Sequence, residues 1–378
     1  MEKPSLFRRI DLNIIVATIF LSLFGALMLY SSSGMDAGMM KKQLIFIALG
    51  VVLMVVLQFF EYRHLRKIAT MGYGLSIVLI LLLLVPWLAV SSHGATRWIS
   101  LFGFTLQVSE AVKLLIIIFI ADYISKHLLE MNKPKFVFQL WVIVGIVAGM
   151  ILIFSSNLSS CLILLMITFC MTSISSGAKK MHYFTLLIAI VGVVCIYFYF
   201  KEHLPTQEEL DQMDYHISRI VAWIAPENYN SDASFQVVQG LYAIGAGGLF
   251  GKGLGSSVQK AILPEASNDM ILCVIAEELG IFGVVVLMLL YIYLFYQILL
   301  VAINAKDNFG RLFCSGVLFH FAFQTLVNMA VATNSIPNTG VTLPFISSGG
   351  SSMLLMFFQV GIVLAVRRRE ALREMKEN

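Results

Sequence analysis

Asp269 stands just ahead of an apolar run in "LPEASNDMILCVIAEELG", and two more carboxylates, Glu277 and Glu278, follow inside that run. Glu110 and Lys113 lie three residues apart in "QVSEAVKL", on one face of any helix that contains them, where they can pair. A carboxylate takes up and returns protons, and an ammonium balances developing negative charge. Acids and a lysine gathered in one cavity therefore suit acid–base chemistry with electrostatic support. Arg97 and Trp98 in "HGATRWIS", Arg219, and Asn157 in "SSNLSS" are further polar or amphipathic residues that an apolar chain carries sparingly. No His/Cys/Asp set has the spacing of a metal site, and no Ser/His pair sits in a nucleophile motif. Neither a metal nor any other cofactor is expected; a divalent cation would be compatible with the chemistry, but no ligand cluster indicates one.

These residues must be positioned by a membrane bundle. Hydrophobic residues make up 59% of the 378 and charged residues only 13%, against roughly 25% charged in a soluble domain. Mean hydropathy is +0.87. Apolar runs long enough to cross about 30 Å of hydrocarbon as helix fall near 12–33, 42–60, 67–90, 107–126, 137–155, 158–176, 182–200, 270–301, 311–334 and 347–366. The expected fold is an all-α polytopic membrane protein with about ten transmembrane helices, read as a single membrane domain over residues 1–378. Basic residues orient it. Arg8 and Arg9, Arg63 to Lys67, Lys133 and Lys135, Lys179 and Lys180, and Arg367 to Arg369 share one side. The short loops of the other side hold only Lys41, Lys42 and Arg97. The positive-inside rule then places both termini in the cytoplasm.

On that topology Asp269, Glu110, Lys113, Arg97, Trp98 and Asn157 all gather at the outer face. One large outer excursion, 201–268, joins the seventh and eighth spans. It begins polar ("KEHLPTQEELDQMD") and ends apolar and Gly-rich ("QVVQGLYAIGAGGLFGKGLGSSVQK"), so its second half is expected to return to the membrane surface. The glycines do not make a phosphate loop: the spacing is wrong and "GKG" lacks a following Ser/Thr. They suit tight backbone turns. The five cysteines fall inside spans and read as buried apolar residues. The net charge of +4 reflects the inner loops and the basic tail "RRREALREMK", which suits anionic headgroups rather than nucleic acid.

Each residue has a plainer reading. Asp269 is either an N-cap for the eighth span or a functional acid. Glu110 with Lys113 is either a structural ion pair or part of a functional cavity. Glu277 and Glu278, about two turns into their span, are expected to brace the bundle. Trp98 is either an interfacial aromatic or a substrate contact. Asp122 and His320 read as structural.

The blocks "HGATRWI", "QVSEAVKL", "GLYAIGAGGLFGKGLGSSVQK", "LPEASNDMILCVIAEELG" and "TGVTLPFISSGGSS" resemble, in order and over nearly the whole chain, the signatures of the SEDS family of shape, elongation, division and sporulation proteins. The uninterrupted "GLFGKGLGSSVQK" and the "LPEA" look more like the division and sporulation members. The resemblance implies a peptidoglycan glycosyltransferase of the bacterial plasma membrane, polymerising lipid II at its outer face beside a class B penicillin-binding protein. It further implies that Asp269 is the essential acid, here read as the general base toward the acceptor hydroxyl. Glu110 and Lys113 then charge-balance the site, and Trp98 is the family's loop tryptophan. Arg97 and Arg219 are chosen as diphosphate contacts because they are among the few outer basic residues. The chain departs from the family pattern at Ser267, Asn268, Val108, Asn157 and Ser348, which bears on substrate fit rather than on the three charged residues. Two other classes remain open: a flippase for the lipid-linked precursor, and a non-catalytic scaffold for the penicillin-binding protein.

Overall fold

The computed structural model describes residues 11–92, 95–101 and 104–377. Three long helices come first: α1 (Leu12–Ser32), α2 (Ala37–Leu57) and α3 (Arg63–Leu81). Three short strands follow, β1 (Ala89–Ser92), β2 (Ala95–Leu101) and β3 (Phe104–Gln107). The chain continues through α4 (Val108–Lys126), α5 (Pro134–Ser155), α6 (Leu158–Ser175) and α7 (Lys179–Glu202). The long excursion folds as α8 (Gln207–Gln212), α9 (Tyr215–Ile224) and α10 (Asp232–Gly247). The last three helices are α11 (Ile271–Asn304), α12 (Asn308–Ala332) and α13 (Gly350–Glu377).

The helix starts follow local chemistry. Asp11, Asp36 and Asp307 cap α1, α2 and α12 by accepting from first-turn amides, and Pro134 opens α5 where no amide hydrogen is needed. Among the described residues nine helices are long and apolar enough to cross a membrane. The tenth expected span is a helix too, but α4 carries Glu110, Lys113, Asp122 and Lys126. It sits at the centre of the bundle: 14 of its 19 residues are buried, against α3, α5, α6, α12 and α13. Neighbouring helices, not lipid, surround Glu110, Lys113 and Asp122, as an intramembrane ion pair requires. At the other extreme, α7 buries only His182 among the described residues and packs lightly against α6 and α9, with Trp141 of α5 edge-on to His182.

Three features differ from the sequence reading. The loop between α3 and α4 is a three-stranded antiparallel sheet, so the fold is not purely helical. Seven-residue β2 carries Arg97, Trp98 and Ile99, and a strand that short is invisible to a search for long apolar runs. The eighth span is broken at Gly280, whose φ of 68° and ψ of −172° are non-helical. Residues 281–304 alone give about 36 Å of helix, enough for the crossing. Glu277 and Glu278 therefore lie before the membrane helix rather than two turns into it, level with the end of α1, where Ser31 meets Glu278. Lastly, α13 runs past the tenth span into the basic tail. Arg367 pairs with Asp11, Arg369 with Glu61, and Arg368 lies over the Phe59 ring, so these arginines knit the helix ends together.

The Gly-rich segment does what tight turns require. Lys252 and Gly253 donate their amides to the carbonyls of Glu277 and Glu278, and Ile281 and Phe282 donate to Gly248 and Leu249. Backbones approach so closely that a Cβ on Gly251 would stand 2.2 Å from the Glu278 carbonyl. Leu249, Phe250, Leu254 and Val258 remain exposed, with Phe250 at 82%, as a segment lying on a membrane surface would have them.

Candidate active site

The ends of α1 and α12 and the starts of α4 and α11 define one end of the bundle, and the polar residues singled out in the sequence collect there. Asp269 precedes α11, yet the N-cap of that helix is Met270 and no side chain caps it. The capping reading of Asp269 is thus excluded. Its carboxylate is buried, with 5% of the residue exposed, and Gln236 Nε2 reaches it only at 3.5 Å. Burial, with Glu265 nearby, pushes its pKa up to about 7, although Arg219 and Arg97 pull the other way. Desolvation of a carboxylate outweighs two cations that do not form tight pairs with it.

Arg97 and Arg219 meet Asp269 around Gly340. A Cβ built on Gly340 would lie 3.4 Å from an Arg97 guanidinium nitrogen, 3.7 Å from Asp269 Oδ2 and 3.8 Å from an Arg219 guanidinium nitrogen. Gly340 has φ +68°, which side chains other than glycine's rarely adopt. Arg97 also donates to the Ser156 carbonyl at 3.2 Å, and Arg219 to the Asn338 carbonyl at 3.0 Å. Trp98 follows Arg97 in β2, half-buried and across from Gln107 of β3, while a shift in the β1–β2 register leaves Arg97 as the bulged residue between Thr96 and Trp98. The structure brings the two arginines to Asp269 and does not bring Trp98 with them.

Glu110 and Lys113 pair as expected. Lys113 Nζ donates to Glu110 Oε1 at 2.6 Å and to Gln324 Oε1 at 2.8 Å, with 1% of the lysine exposed. Beside them is a polar cavity lined by Gln107, Asn157, Ser160, Gly340 and Thr342. It has about 10 Å³ of free room, the space of one water. Asn157 caps α6 by accepting from the Ser160 amide at 3.0 Å, and its amide faces Ser109 at 3.4 Å.

The segment Asn338–Thr342 forms the wall between the two clusters. Gln324 Nε2 donates to the Thr342 carbonyl at 3.2 Å. Asn328 Nδ2 donates at 2.7 Å both to the Val341 carbonyl and to the carbonyl of Asp269. Gln236 accepts from Asn338 Nδ2 at 2.7 Å, and Ser159 donates to the Thr339 carbonyl. Gly340 therefore borders Asp269 on one side and the Glu110–Lys113 cavity on the other. Gln236, Gln324, Asn328 and Gly340 were not singled out in the sequence. Gln324 and Asn328 had a signal, two amides one turn apart in an otherwise apolar helix.

Glu277 and Glu278 stand apart; Glu277 is saturated, while Glu278 is held through Oε1 and its buried Oε2 has no hydrogen-bond partner. Glu277 accepts from Lys252 Nζ at 2.7 Å, Ser257 Oγ at 2.5 Å and the amides of Val258 and Gln259. Glu278 Oε1 accepts from Ser31 Oγ at 2.5 Å and the Ser257 amide at 3.3 Å, with Lys260 Nζ at 3.4 Å. They tie the Gly-rich segment to α1 and the start of α11, the bracing role expected of them. No group of three or more potential metal ligands occurs among the described residues.

Comparison with known proteins follows from this geometry. Residues 11–372 match the FtsW/RodA/SpoVE family, described as cell cycle protein. The chain is 34% identical over 375 residues to "Probable peptidoglycan glycosyltransferase FtsW" of Trichlorobacter lovleyi, covering 97% of this chain and 95% of that one. It is 32% identical over 370 residues to stage V sporulation protein E of Bacillus subtilis, covering 95% and 97%. Among solved structures, the rod shape determining protein RodA of Thermus thermophilus superposes with a TM-score of 0.65 at 26% identity, covering 96% and 97%. A chain of a peptidoglycan synthase complex shares the fold, with a TM-score of 0.74 at 24% identity, covering 96% and 98%.

Proposed function

The chain belongs to the FtsW/RodA/SpoVE family, and from that premise we propose that it is a peptidoglycan glycosyltransferase of the bacterial plasma membrane, polymerising lipid II into glycan at the membrane's outer face. The observation that carries this reading is the placement of a buried, weakly contacted carboxylate, Asp269, beside two guanidinium groups at Gly340. Glycosyl transfer from a lipid diphosphate requires a base for the acceptor hydroxyl and cations for the departing diphosphate. Asp269 is the base. With a pKa of about 7 it is half-ionised at neutral pH and retains a driving force for accepting a proton. Arg97 and Arg219 receive the diphosphate oxygens, for which a forked guanidinium is suited. Lys113 keeps positive charge on the other side of the Asn338–Thr342 wall, held there by Glu110 and Gln324.

A lipid-anchored sugar delivers its reactive carbon to the membrane boundary, which accounts for a catalytic acid beside an apolar helix. The cavity next to Lys113 has room for only one water, so disaccharide entry needs the wall or the 201–268 excursion to move. The partner of the family resemblance, a class B penicillin-binding protein, would cross-link the strands made here. The test is incubation of the purified chain with lipid II and separation of the products by size. Glycan from the wild type and none from Asp269→Ala supports the assignment. Lipid translocated across vesicles with no glycan formed contradicts it and favours the flippase.

A further inference from the structure

Two buried amides, Gln236 of α10 and Asn338 of the wall, stand behind Asp269, and backbone groups fix which way each one faces. The Gly340 amide donates to Asn338 Oδ1 at 3.1 Å, a bond that only the oxygen end of the side chain can accept. Asn338 Nδ2 is left to donate, and Gln236 Oε1 accepts from it at 2.7 Å. With its oxygen taken, Gln236 turns Nε2 to the other side, where the Pro264 carbonyl lies at 3.4 Å and Asp269 Oδ1 at 3.5 Å. A side-chain amide can ordinarily be flipped end for end; here a backbone N–H at one end of the relay and a backbone C=O at the other demand the same orientation.

The two oxygens of Asp269 therefore meet different surroundings. Oδ1 faces the Gln236 N–H. Oδ2 faces Gly340: a Cβ on that glycine would stand 3.7 Å from it, with guanidinium nitrogens of Arg97 and Arg219 at 3.4 and 3.8 Å from the same point. Charge reaches the carboxylate from Glu265 in the turn before it, from Arg219 of α9 and from Arg97 of β2, and the Cys273 thiol lies one turn on. From α12 the neutral Asn328 amide meets the backbone carbonyl of the same residue. An N–H aimed at Oδ1 opposes a hydrogen on that oxygen, because two hydrogens would then face each other, and it favours the ionised carboxylate.

We infer that Gln236, held by Asn338, is a positioning residue that selects the oxygen on which Asp269 works. As the acceptor hydroxyl oxygen bonds to the anomeric carbon of the donor, the bond from that carbon to the diphosphate breaks and its electron pair leaves with the diphosphate. The hydroxyl proton passes to Oδ2, the oxygen beside the arginines, while Oδ1 stays turned to Gln236. Asn338 also offers its backbone carbonyl to Arg219 at 3.0 Å, a contact that survives any change of its side chain. The inference rests on the reading of Asp269 as the base of glycosyl transfer.

The experiment measures kcat and KM for glycan synthesis from lipid II across about pH 5.5 to 8.5, using the full-length wild type, Gln236→Leu, Asn338→Ala and the double variant. Gln236→Leu should move the midpoint of the rate profile up by about one pH unit, since the ionised form loses its donor. Its plateau kcat should fall about tenfold, with KM changed less than about threefold. Asn338→Ala should move the midpoint the same way by less, and KM should again hold because Arg219 keeps its carbonyl. In the Gln236→Leu background Asn338→Ala should add less than about twofold, because it acts through that amide. A purely structural brace would lower kcat or melting and leave the midpoint in place. An unmoved midpoint in Gln236→Leu, or additive losses in the double variant, overturns the inference. Should Gln236→Leu not fold, the midpoint of Asn338→Ala decides; should neither fold, the pair is structural and the inference falls. These outcomes in an active wild type remove the inference alone, whereas a wild type that makes no glycan, or an Asp269→Asn variant that makes as much, removes the function beneath it.

Discussion

Two groups of buried carboxylates at one end of the bundle are treated in opposite ways. Glu277 is filled by a lysine, a hydroxyl and two amides, and Glu278 is tied by two hydrogen-bond donors and a lysine through Oε1 alone, its Oε2 left without a partner. Asp269 is buried too, and Gln236 reaches its carboxylate only at 3.5 Å, with two arginines gathered around the same glycine. A saturated acid has nothing left to give a substrate and spends its hydrogen-bonding capacity on architecture. An under-satisfied acid with a raised pKa is held ready for a proton. Sequence proximity gives no hint of this, since all three acids sit within ten residues of one another.

The contrast can be strained at several points. The largest effect is expected from Lys113→Met, which leaves Glu110 as a buried charge without its partner. Thermal unfolding should show a loss of about 3–5 kcal/mol, with glycan synthesis lost as well. Next is the pH dependence of stability at Asp269. Its folded pKa of about 7 lies above that of an unfolded carboxylate, so its favourable contribution is complete below about pH 4 and is lost as pH rises toward 7. Asp269→Asn should therefore melt no higher than the wild type near pH 4 and higher near pH 8, by at most about 4 kcal/mol. Equal melting at both pH values would mean that Asp269 is as well satisfied as Glu277. Third, Glu277→Gln should cost about 2 kcal/mol in thermal stability by weakening the Lys252 pair and its hydrogen bonds. Turnover per folded molecule should stay within about threefold; a large loss in kcat would move Glu277 from architecture to chemistry. The smallest effect is Gly340→Ala, which forces a side chain into a left-handed backbone and between Arg97, Arg219 and Asp269. A roughly tenfold drop in turnover, about 1.4 kcal/mol, is expected with little change in melting.

Much of this was legible in the residues. Length of apolar run marked ten helices, because crossing hydrocarbon imposes a minimum length, and the Glu110–Lys113 pair followed from helical spacing. The family-like blocks marked Asp269. What the chain did not disclose was tertiary. Gly280 breaks an apolar run that reads as continuous, because a glycine within such a run carries no sign of its φ. The sheet escaped because its strands are short and its neighbours apolar. The convergence of Arg97 and Arg219 on Asp269 brings together residues more than a hundred positions apart, and no local pattern encodes that. Trp98 is the reverse case: adjacent to Arg97 in sequence, it pairs across from Gln107 of β3, while a bulge in the β1–β2 ladder sets Arg97 apart. His320, read as structural, lies against Glu110, a contact between helices that spacing within one helix cannot report.

The most direct measurement is the rate of glycan synthesis from the same lipid II by wild type and Asp269→Asn across about pH 5.5 to 8.5. With Asp269 as the base, the wild-type rate should climb close to tenfold per pH unit at the acid end and level off above a midpoint of about 7. The residual rate of Asp269→Asn should lie orders of magnitude lower and show no such climb. An asparagine variant that polymerises at the wild-type rate, or a wild-type profile flat through this range, would contradict the assignment of Asp269.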